Sequence, residues 1–217
     1  MSYAAIADAE AVSTNSTSVT TTGVDSTGAD LITVVGSVYS ALDPAITDSK
    51  GNSYTGHNVY RQVFSTTQIF HCSNPTVGAS HTVTNTGGYP SVGVSFWSGS
   101  HATPFDQQNG GTAASSPVSA GSVTPSEDNE LLITGYSDGT VAGSCNSIPT
   151  GFTSLGTLDA TANANGVGHA YEIQTTATAR TPSWGFTSAS ELSAAVATFK
   201  AAAAAASTKR LLLMGVG

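Results

Sequence analysis

Two similar stretches decide the fold of this chain: Leu31-Ile-Thr-Val-Val-Gly-Ser37 and Leu131-Leu-Ile-Thr-Gly-Tyr-Ser137. Each is an apolar run that directly follows an acidic turn, Ser26-Thr-Gly-Ala-Asp30 in one case and Ser126-Glu-Asp-Asn-Glu130 in the other. Short β-branched runs bounded by turn residues predict buried β-strands. Because the turn and its strand occur twice, we expect two tandem, similar halves.

The remaining sequence also favours strands. Turn residues separate the apolar runs, as in Asp48-Ser-Lys-Gly-Asn52 and Asn109-Gly-Gly111, and no helical period of useful length precedes residue 200. We therefore predict an all-β protein, a two-sheet antiparallel β-sandwich in one domain, residues 1–199. Its halves are expected at about 12–99 and 117–199, joined by a crossover at residues 109–125. The other predicted strands lie at residues 59–64, 68–72, 81–84, 91–97, 169–173 and 194–199.

Composition and charge restrict the function. Charged residues make up 9% of the chain, against roughly 25% in ordinary soluble domains, and the net charge is −8. An acidic surface argues against nucleic acid as a partner. No stretch reaches the ~20 apolar residues that span a bilayer, and no secretory signal is recognised, so we expect cytoplasmic synthesis and no membrane partner.

The last eighteen residues, 200–217, differ from the rest. They contain half of the six basic residues, whereas all fourteen acids precede them. An exposed arm that ends in several large apolar side chains needs a partner to cover them. We predict a C-terminal docking arm, with a short helix possible at residues 200–210, that binds another subunit through Lys209, Arg210, Leu211, Leu212, Leu213 and Met214.

Two cysteines and several aromatic residues are candidate features. Cys72 and Cys145 are either two buried small side chains or one disulfide bridge that forms after release from the cytoplasm. Trp97, Trp184 and Tyr136 are either core residues or a platform that stacks on a glycan. The sequence leaves both alternatives open.

Catalytic and metal motifs are weak. Gly135-Tyr-Ser-Asp-Gly139 matches a nucleophile elbow and is followed by Asp159 and His169, but glycine and proline occupy the place of the helix that an elbow requires. We interpret it as a strand end and turn. Five scattered histidines lack ligand spacing, and a zinc site from His71, Cys72 and His81 is disfavoured. We predict no catalytic residue, metal or cofactor.

Several turn motifs resemble those of a family of jelly-roll or concanavalin A-like β-sandwich proteins of tailed bacteriophages and their hosts. They include Thr47-Asp-Ser-Lys-Gly-Asn-Ser-Tyr-Thr55, Tyr89-Pro-Ser-Val-Gly-Val94 and Pro104-Phe-Asp-Gln-Gln-Asn-Gly110. The C-terminal segment resembles the terminal arms by which virion proteins bind a capsid or tail.

The resemblance implies a non-enzymatic virion structural protein: a capsid decoration, head-fibre or tail-associated protein. It would be present in several copies or as a homo-oligomer, with other virion subunits as partners. The alternative is a carbohydrate-binding module for host surface glycan. A hydrolase is disfavoured because no paired carboxylates mark a site.

Overall fold

The structure, a computed structural model, describes residues 2–39, 42–139, 143–160, 165–188 and 190–203. These ranges contain β-strands and no helix, so the predicted all-β class is confirmed. Accordingly, the described residues include no helix long and apolar enough to cross a membrane. The first-half strands are β1 (Ala4–Val12), β2 (Ser18–Thr20), β3 (Leu31–Val38), β4 (Ala45–Asp48), β5 (Thr55–Gly56), β6 (Tyr60–Gln62), β7 (Ser65–Ser73), β8 (Val83–Thr86) and β9 (Ser91–Ser98). The second-half strands are β10 (Ser100–Ala113), β11 (Val118–Ser119), β12 (Leu131–Asp138), β13 (Cys145–Ser147), β14 (Thr153–Leu158), β15 (Gly166–Ile173), β16 (Ser183–Phe186) and β17 (Leu192–Ala201).

The two halves repeat one strand order. Large antiparallel sheets have the orders β1-β9-β3-β7-β5, with β6 beside β7, and β10-β17-β12-β15-β14. The register repeats too: Leu31 lies opposite Trp97 on β9, and Leu131 lies opposite Phe199 on β17. The predicted correspondence of β3 with β12 and of β9 with β17 is therefore confirmed.

Each half also has a small three-stranded sheet, β2-β8-β4 in the first and β11-β16-β13 in the second. Successive strands mostly alternate between the large and the small sheet of their half, as in a jelly roll. The described part of each half thus has eight or nine strands, whereas the sequence predicted about four. The small sheets were not predicted.

Three apolar clusters show how the sheets are layered. Leu31, Trp97, Leu131 and Phe199 belong to a central cluster between the two large sheets. A second cluster, which we call the first-half cluster, joins the first large sheet to its small sheet. A third, the second-half cluster, does the same in the second half. The molecule is therefore a pair of large sheets face to face, with a small sheet on each outer side.

The central strands are buried on both faces, which explains their almost uninterrupted apolar sequences. On β3, Leu31 and Val35 point to the central cluster, whereas Ile32 and Val34 point to the first-half cluster. On β12, Gly135 faces Val35, and any Cβ atom there would collide with the Val35 methyl groups. Glycine therefore lets the two central strands approach each other.

Strands β1 and β10 were missed, and the predicted crossover is partly wrong. Asn109-Gly-Gly111 lies inside the long strand β10 and forms no turn. A Cβ atom on Gly110 would overlap the ring of Tyr60, so this glycine allows close contact between the halves. Both halves consequently begin earlier than predicted, at β1 and at β10.

The two ends of the molecule are chemically different. We call the end where β3 and β12 begin the proximal end, and the end where they finish the distal end. At the proximal end, the Tyr3 hydroxyl donates to the Lys200 carbonyl at 2.7 Å, and the Ala202 amide donates to the Gly99 carbonyl at 2.7 Å. The chain leaves the last strand at this end.

Candidate functional site

The predicted docking residues Lys209, Arg210, Leu211, Leu212, Leu213 and Met214 lie outside the described residues. The predicted arm does not begin at Lys200, because Lys200 and Ala201 are the last residues of β17. The Lys200 ammonium group lies 3.4 Å from a carboxylate oxygen of Asp106 on β10. A helix from residue 200 is therefore wrong for its first two residues, which are fixed to the large sheet.

Of the two alternatives for Trp97, Trp184 and Tyr136, the glycan platform is wrong. Trp97 and Trp184 are fully buried, and Tyr136 is 1% exposed. The Trp97 indole donates to Thr33 at 3.1 Å and the Trp184 indole to Thr134 at 3.2 Å. The core alternative is correct for all three residues, because each ring fills an intersheet space and cannot stack on a ligand.

Of the two alternatives for the cysteines, the disulfide bridge is wrong. Both thiols are free: Cys72 is buried in the first-half cluster, and Cys145 packs against the second-half cluster. Because these clusters lie on opposite sides of the paired large sheets, the two sulfur atoms cannot meet. Burial raises the pKa of both thiols.

The elbow-like motif has no triad geometry. Ser137 is buried within β12, where its hydroxyl accepts hydrogen bonds from Ser37 at 2.7 Å and from the Asn165 amide at 3.1 Å. Asp159 instead accepts a hydrogen bond from the backbone of Cys145. His169 lies opposite Gly135 on the neighbouring strand and does not contact the Ser137 hydroxyl. The motif lies at the end of β12, as predicted, but Ser137 and Asp138 belong to the strand and form no turn.

Between the large sheets, the buried His169 lies close to the partly buried Glu10. The Nδ1 atom of His169 lies 4.0 Å from a Glu10 carboxylate oxygen. Neither ring nitrogen makes a hydrogen bond of normal geometry, and the contact with the Val94 backbone is weaker than such a bond. Burial lowers the pKa of His169 to about 4. Burial, with a smaller contribution from Asp8, raises the pKa of Glu10.

The disfavoured zinc site is absent. His71 stacks on His57 with ring centroids 5.0 Å apart, whereas His81 binds Asp48 in the first-half core. Within the described ranges, no group of three histidine, cysteine or acidic side chains could hold a metal ion. Burial, and then repulsion from His71, lower the pKa of His57 to about 4.

Asp48 is the centre of a buried polar network that we call the first-half network. Its carboxylate accepts hydrogen bonds from Asn52 (2.7 Å) and Tyr54 (2.8 Å), and it lies 3.0 Å from the His81 ring. Burial alone would raise the pKa of Asp48, but these hydrogen bonds outweigh it and hold the pKa at about 2. The network closes the space between the β4–β5 turn and the small sheet.

The second half has an open cleft of about 300 Å³ in a similar place, which we call the second-half cleft. Its apolar wall includes Ile148, which is 38% exposed. Its polar lining includes the exposed hydroxyls of Thr150, Thr181 and Ser183. The cleft is therefore lined on one side by hydrocarbon and on another by hydrogen-bonding groups.

Arg180 lines the second-half cleft and is held in one orientation. Its guanidinium donates to both carboxylate oxygens of Glu172, with its shortest contact at 2.7 Å, and to the Thr178 hydroxyl at 3.0 Å. The hydrogen bonds to Glu172 raise the pKa of Arg180 further above its ordinary value. The pair offers fixed hydrogen-bonding atoms with little net charge.

A second surface feature, which we call the distal patch, consists of three aromatic residues and one valine: Tyr39, Phe64, Tyr89 and Val63. Tyr39 stacks on Phe64 with ring centroids 5.2 Å apart and makes an edge contact with Tyr89 at 5.6 Å. Phe64 and Tyr89 are 42% and 38% exposed. This patch lies at the distal end, opposite the place where the chain leaves β17.

The sequence reasoning missed the distal patch and the second-half cleft as sites. A usable signal for the cleft was the difference between the repeated turns, since Asp48-Ser-Lys-Gly-Asn52 has an acid and Ile148-Pro-Thr-Gly-Phe152 has none.

In comparisons with known proteins, no family model, curated sequence or solved structure matches the chain.

Proposed function

We propose that the protein is a non-enzymatic structural protein of a bacteriophage virion, attached to the particle through its C-terminal segment. Capsid decoration, head-fibre and tail-associated positions all fit this role. The observation that supports it is the polarity of the molecule: the chain leaves β17 at the proximal end, and the distal patch faces the opposite way. A protein anchored by its C-terminal segment would present this patch outward.

The chemistry of the segment supports apolar attachment. Burying Leu211, Leu212, Leu213 and Met214 against a neighbouring subunit is worth on the order of 6 to 10 kcal/mol before the cost of ordering the segment. Ion pairs from Lys209 and Arg210 at the rim of such a contact contribute about 1 kcal/mol or less each. The leucines should therefore dominate the attachment.

The test is rebinding to virions that lack the protein. The full chain should rebind, whereas a chain ending at Ala203 and the triple variant Leu211→Ser, Leu212→Ser, Leu213→Ser should not rebind at any salt concentration. The matched variant Lys209→Gln, Arg210→Gln should rebind more weakly, mainly at low ionic strength. If the charge variant fails to rebind and the leucine variant rebinds normally, the segment is an electrostatic tether and the apolar attachment proposal is wrong.

A second candidate function is carbohydrate binding. The predicted platform of Trp97, Trp184 and Tyr136 does not support it, because these rings are buried. The second-half cleft does, because it combines a fixed Arg180–Glu172 pair, exposed hydroxyls and apolar walls. Small-molecule sites are typically concave and combine apolar walls with placed polar groups, and the cleft combines both kinds of lining.

A further inference from the structure

We infer that the second-half cleft binds a single neutral sugar ring, and that it exists because the second half lacks the buried network that closes the equivalent place in the first half. This inference rests on the carbohydrate-binding candidate above. It is carried by a comparison of the two halves, residue by residue, within one chain.

Strand register identifies the equivalent residues. His81 forms an isolated bridge with Val24, and Arg180 forms the same bridge with Val123. Tyr54 directly precedes β5, which pairs with β7, and Phe152 directly precedes β14, which pairs with β15. His81 therefore corresponds to Arg180, and Tyr54 to Phe152.

In the first half, these positions belong to the first-half network. Asp48 binds both His81 and Tyr54, and the side chains of Asp48 and His81 are fully buried. Asn52 adds a further hydrogen bond, and Lys50 reaches the Ala79 carbonyl at 2.8 Å. The turn is thereby tied to the chain that precedes β8.

In the second half, the turn has no acid that could bind Arg180. Ile148-Pro-Thr-Gly-Phe152 replaces the polar turn, and Phe152 lacks the hydroxyl of Tyr54. Arg180 pairs instead with Glu172 on β15, at the position that Cys72 occupies on β7. The turn and the chain before β16 are consequently not joined by a buried polar network, and the cleft lies between them.

The size and charge of the cleft define the ligand. About 300 Å³ is at the lower end of the volumes of small-molecule sites, which suits one ring. Because Glu172 neutralises Arg180, an anionic ligand would gain little from the guanidinium. A wholly apolar ligand would remove water from this pair and from the hydroxyls without replacing its hydrogen bonds.

The two kinds of lining match the two kinds of surface on a sugar. The ring hydroxyls can bind Arg180 and the hydroxyls of Thr181 and Ser183, whereas the C–H face can lie against Ile148. Orientation then comes from polar groups that are already fixed before binding, which reduces the ordering cost.

The experiment is saturation-transfer NMR and calorimetry with the full chain and a panel of monosaccharides. The neutral members are glucose, galactose, mannose, N-acetylglucosamine and N-acetylgalactosamine, and the anionic members are glucuronic acid and N-acetylneuraminic acid. At least one neutral sugar should bind at millimolar concentration, and the anionic sugars should bind more weakly. Tighter binding of the anionic sugars would contradict the neutral-ligand assignment.

Variants locate the site. Ile148→Trp fills the cleft and should abolish binding, whereas the matched change Val63→Trp at the distal patch should leave it unchanged. Thr181→Val removes one exposed hydroxyl with little effect on folding and should weaken binding about three- to tenfold. Thermal unfolding of each variant checks that the fold is intact.

The outcomes separate the two proposals. If a sugar binds the original chain but Ile148→Trp and Thr181→Val bind it equally well, the cleft assignment is overturned and carbohydrate binding remains. If Val63→Trp alone abolishes binding, the site is the distal patch. If no sugar binds the original chain, both the cleft and the carbohydrate-binding candidate are overturned.

Discussion

At the residue scale, Ser37 and Ser137 show how the two halves meet. They occupy equivalent positions on β3 and β12, and the Ser37 hydroxyl donates to the Ser137 hydroxyl at 2.7 Å. Ser37 also lies 3.1 Å from the Gly166 carbonyl, so it has a second acceptor. The Gly135–Gly139 motif, which resembles a catalytic elbow in sequence, is therefore explained by packing between repeated strands.

We expect Ser137→Ala to change no biological activity and to lower the free energy of unfolding by about 1 kcal/mol, because Ser37 can still donate to Gly166. Chemical denaturation measures this change. The control is Thr20→Ala, which removes an exposed hydroxyl pair with Thr84 and should cost less. A loss of several kcal/mol, or loss of attachment with an intact fold, would contradict this account of Ser137.

His169 predicts a loss of stability in mild acid. Its pKa is about 4 in the folded protein and roughly 6.5 when unfolded, so the unfolded state binds the proton more tightly. Stability should therefore be complete above pH 6.5 and fall as the pH approaches 4. Between pH 7 and pH 5, His169 should account for a loss of about 2 kcal/mol.

The measurement is denaturation at pH 7 and pH 5 for the original chain and for His169→Leu, which has no titrating group. The variant should lose about 2 kcal/mol less over this interval. The raised pKa of Glu10 acts in the opposite direction, because protonation of this partly buried carboxyl favours the folded state. An identical pH dependence for both proteins would refute the assignment to His169.

The burial of Trp97 and Trp184 could not be decided from the sequence. Each tryptophan has an apolar body and one N–H donor, which suits both a core and a sugar platform. Their indole nitrogens bind Thr33 and Thr134, which lie on the central strands of the two large sheets. These partners lie 64 and 50 residues away along the chain, and only the three-dimensional pairing of the strands brings them together.

At the element scale, the strands predicted correctly are those in the middle of the large sheets. Strands β3, β9, β12 and β17 each have a neighbouring strand on both sides and are buried almost throughout, so their sequences are mostly apolar. Strands β1 and β10 lie at the sheet edges and have one neighbour each. Their partly exposed sequences, rich in alanine or glycine, carry little β-strand signal.

The end of β17 predicts where the chain can be shortened. A chain ending at Ala203 should keep the stability of the full protein, because every described contact of Lys200 and Ala202 remains. A chain ending at Phe199 loses the Tyr3–Lys200 and Ala202–Gly99 hydrogen bonds and the Lys200–Asp106 pair. We expect it to fold but to be less stable by about 1 to 3 kcal/mol.

Thermal unfolding of the two shortened chains tests this prediction. For a domain of this size, the difference corresponds to a decrease in Tm of roughly 2 to 10 °C. If the chain ending at Ala203 fails to fold, residues beyond it contribute to the core. The docking role of Leu211 to Met214 would then be wrong.

At the scale of the whole molecule, the central cluster predicts how the halves depend on each other. Separated between Gly99 and Ser100, each half would retain its own large and small sheets but expose one side of the central cluster, including Leu31 and Trp97 or Leu131 and Phe199. Large exposed apolar surfaces promote association. We expect each half alone to aggregate, and the two halves expressed together to form a soluble one-to-one complex.

Size-exclusion chromatography of the separate and co-expressed halves measures this. The control for the central contact is Val35→Asp, which puts a charge against Gly135 and should prevent the halves from forming a complex. Stable monomers of the separate halves would show that the central cluster contributes little.

The tandem repeat itself could be predicted from the sequence, because its acidic turns and strands are similar, whereas the small sheets come from short segments without such a signal.

The most direct test of the structural role proposed above is a cryo-electron microscopy reconstruction of particles purified from cells that carry the gene. The account predicts density for the paired sheets on the particle surface, with the proximal end toward the particle and Leu211 to Met214 buried against another subunit. A reconstruction in which the distal patch is attached and the C-terminal segment contacts no subunit would contradict it, as would a complete virion without this protein.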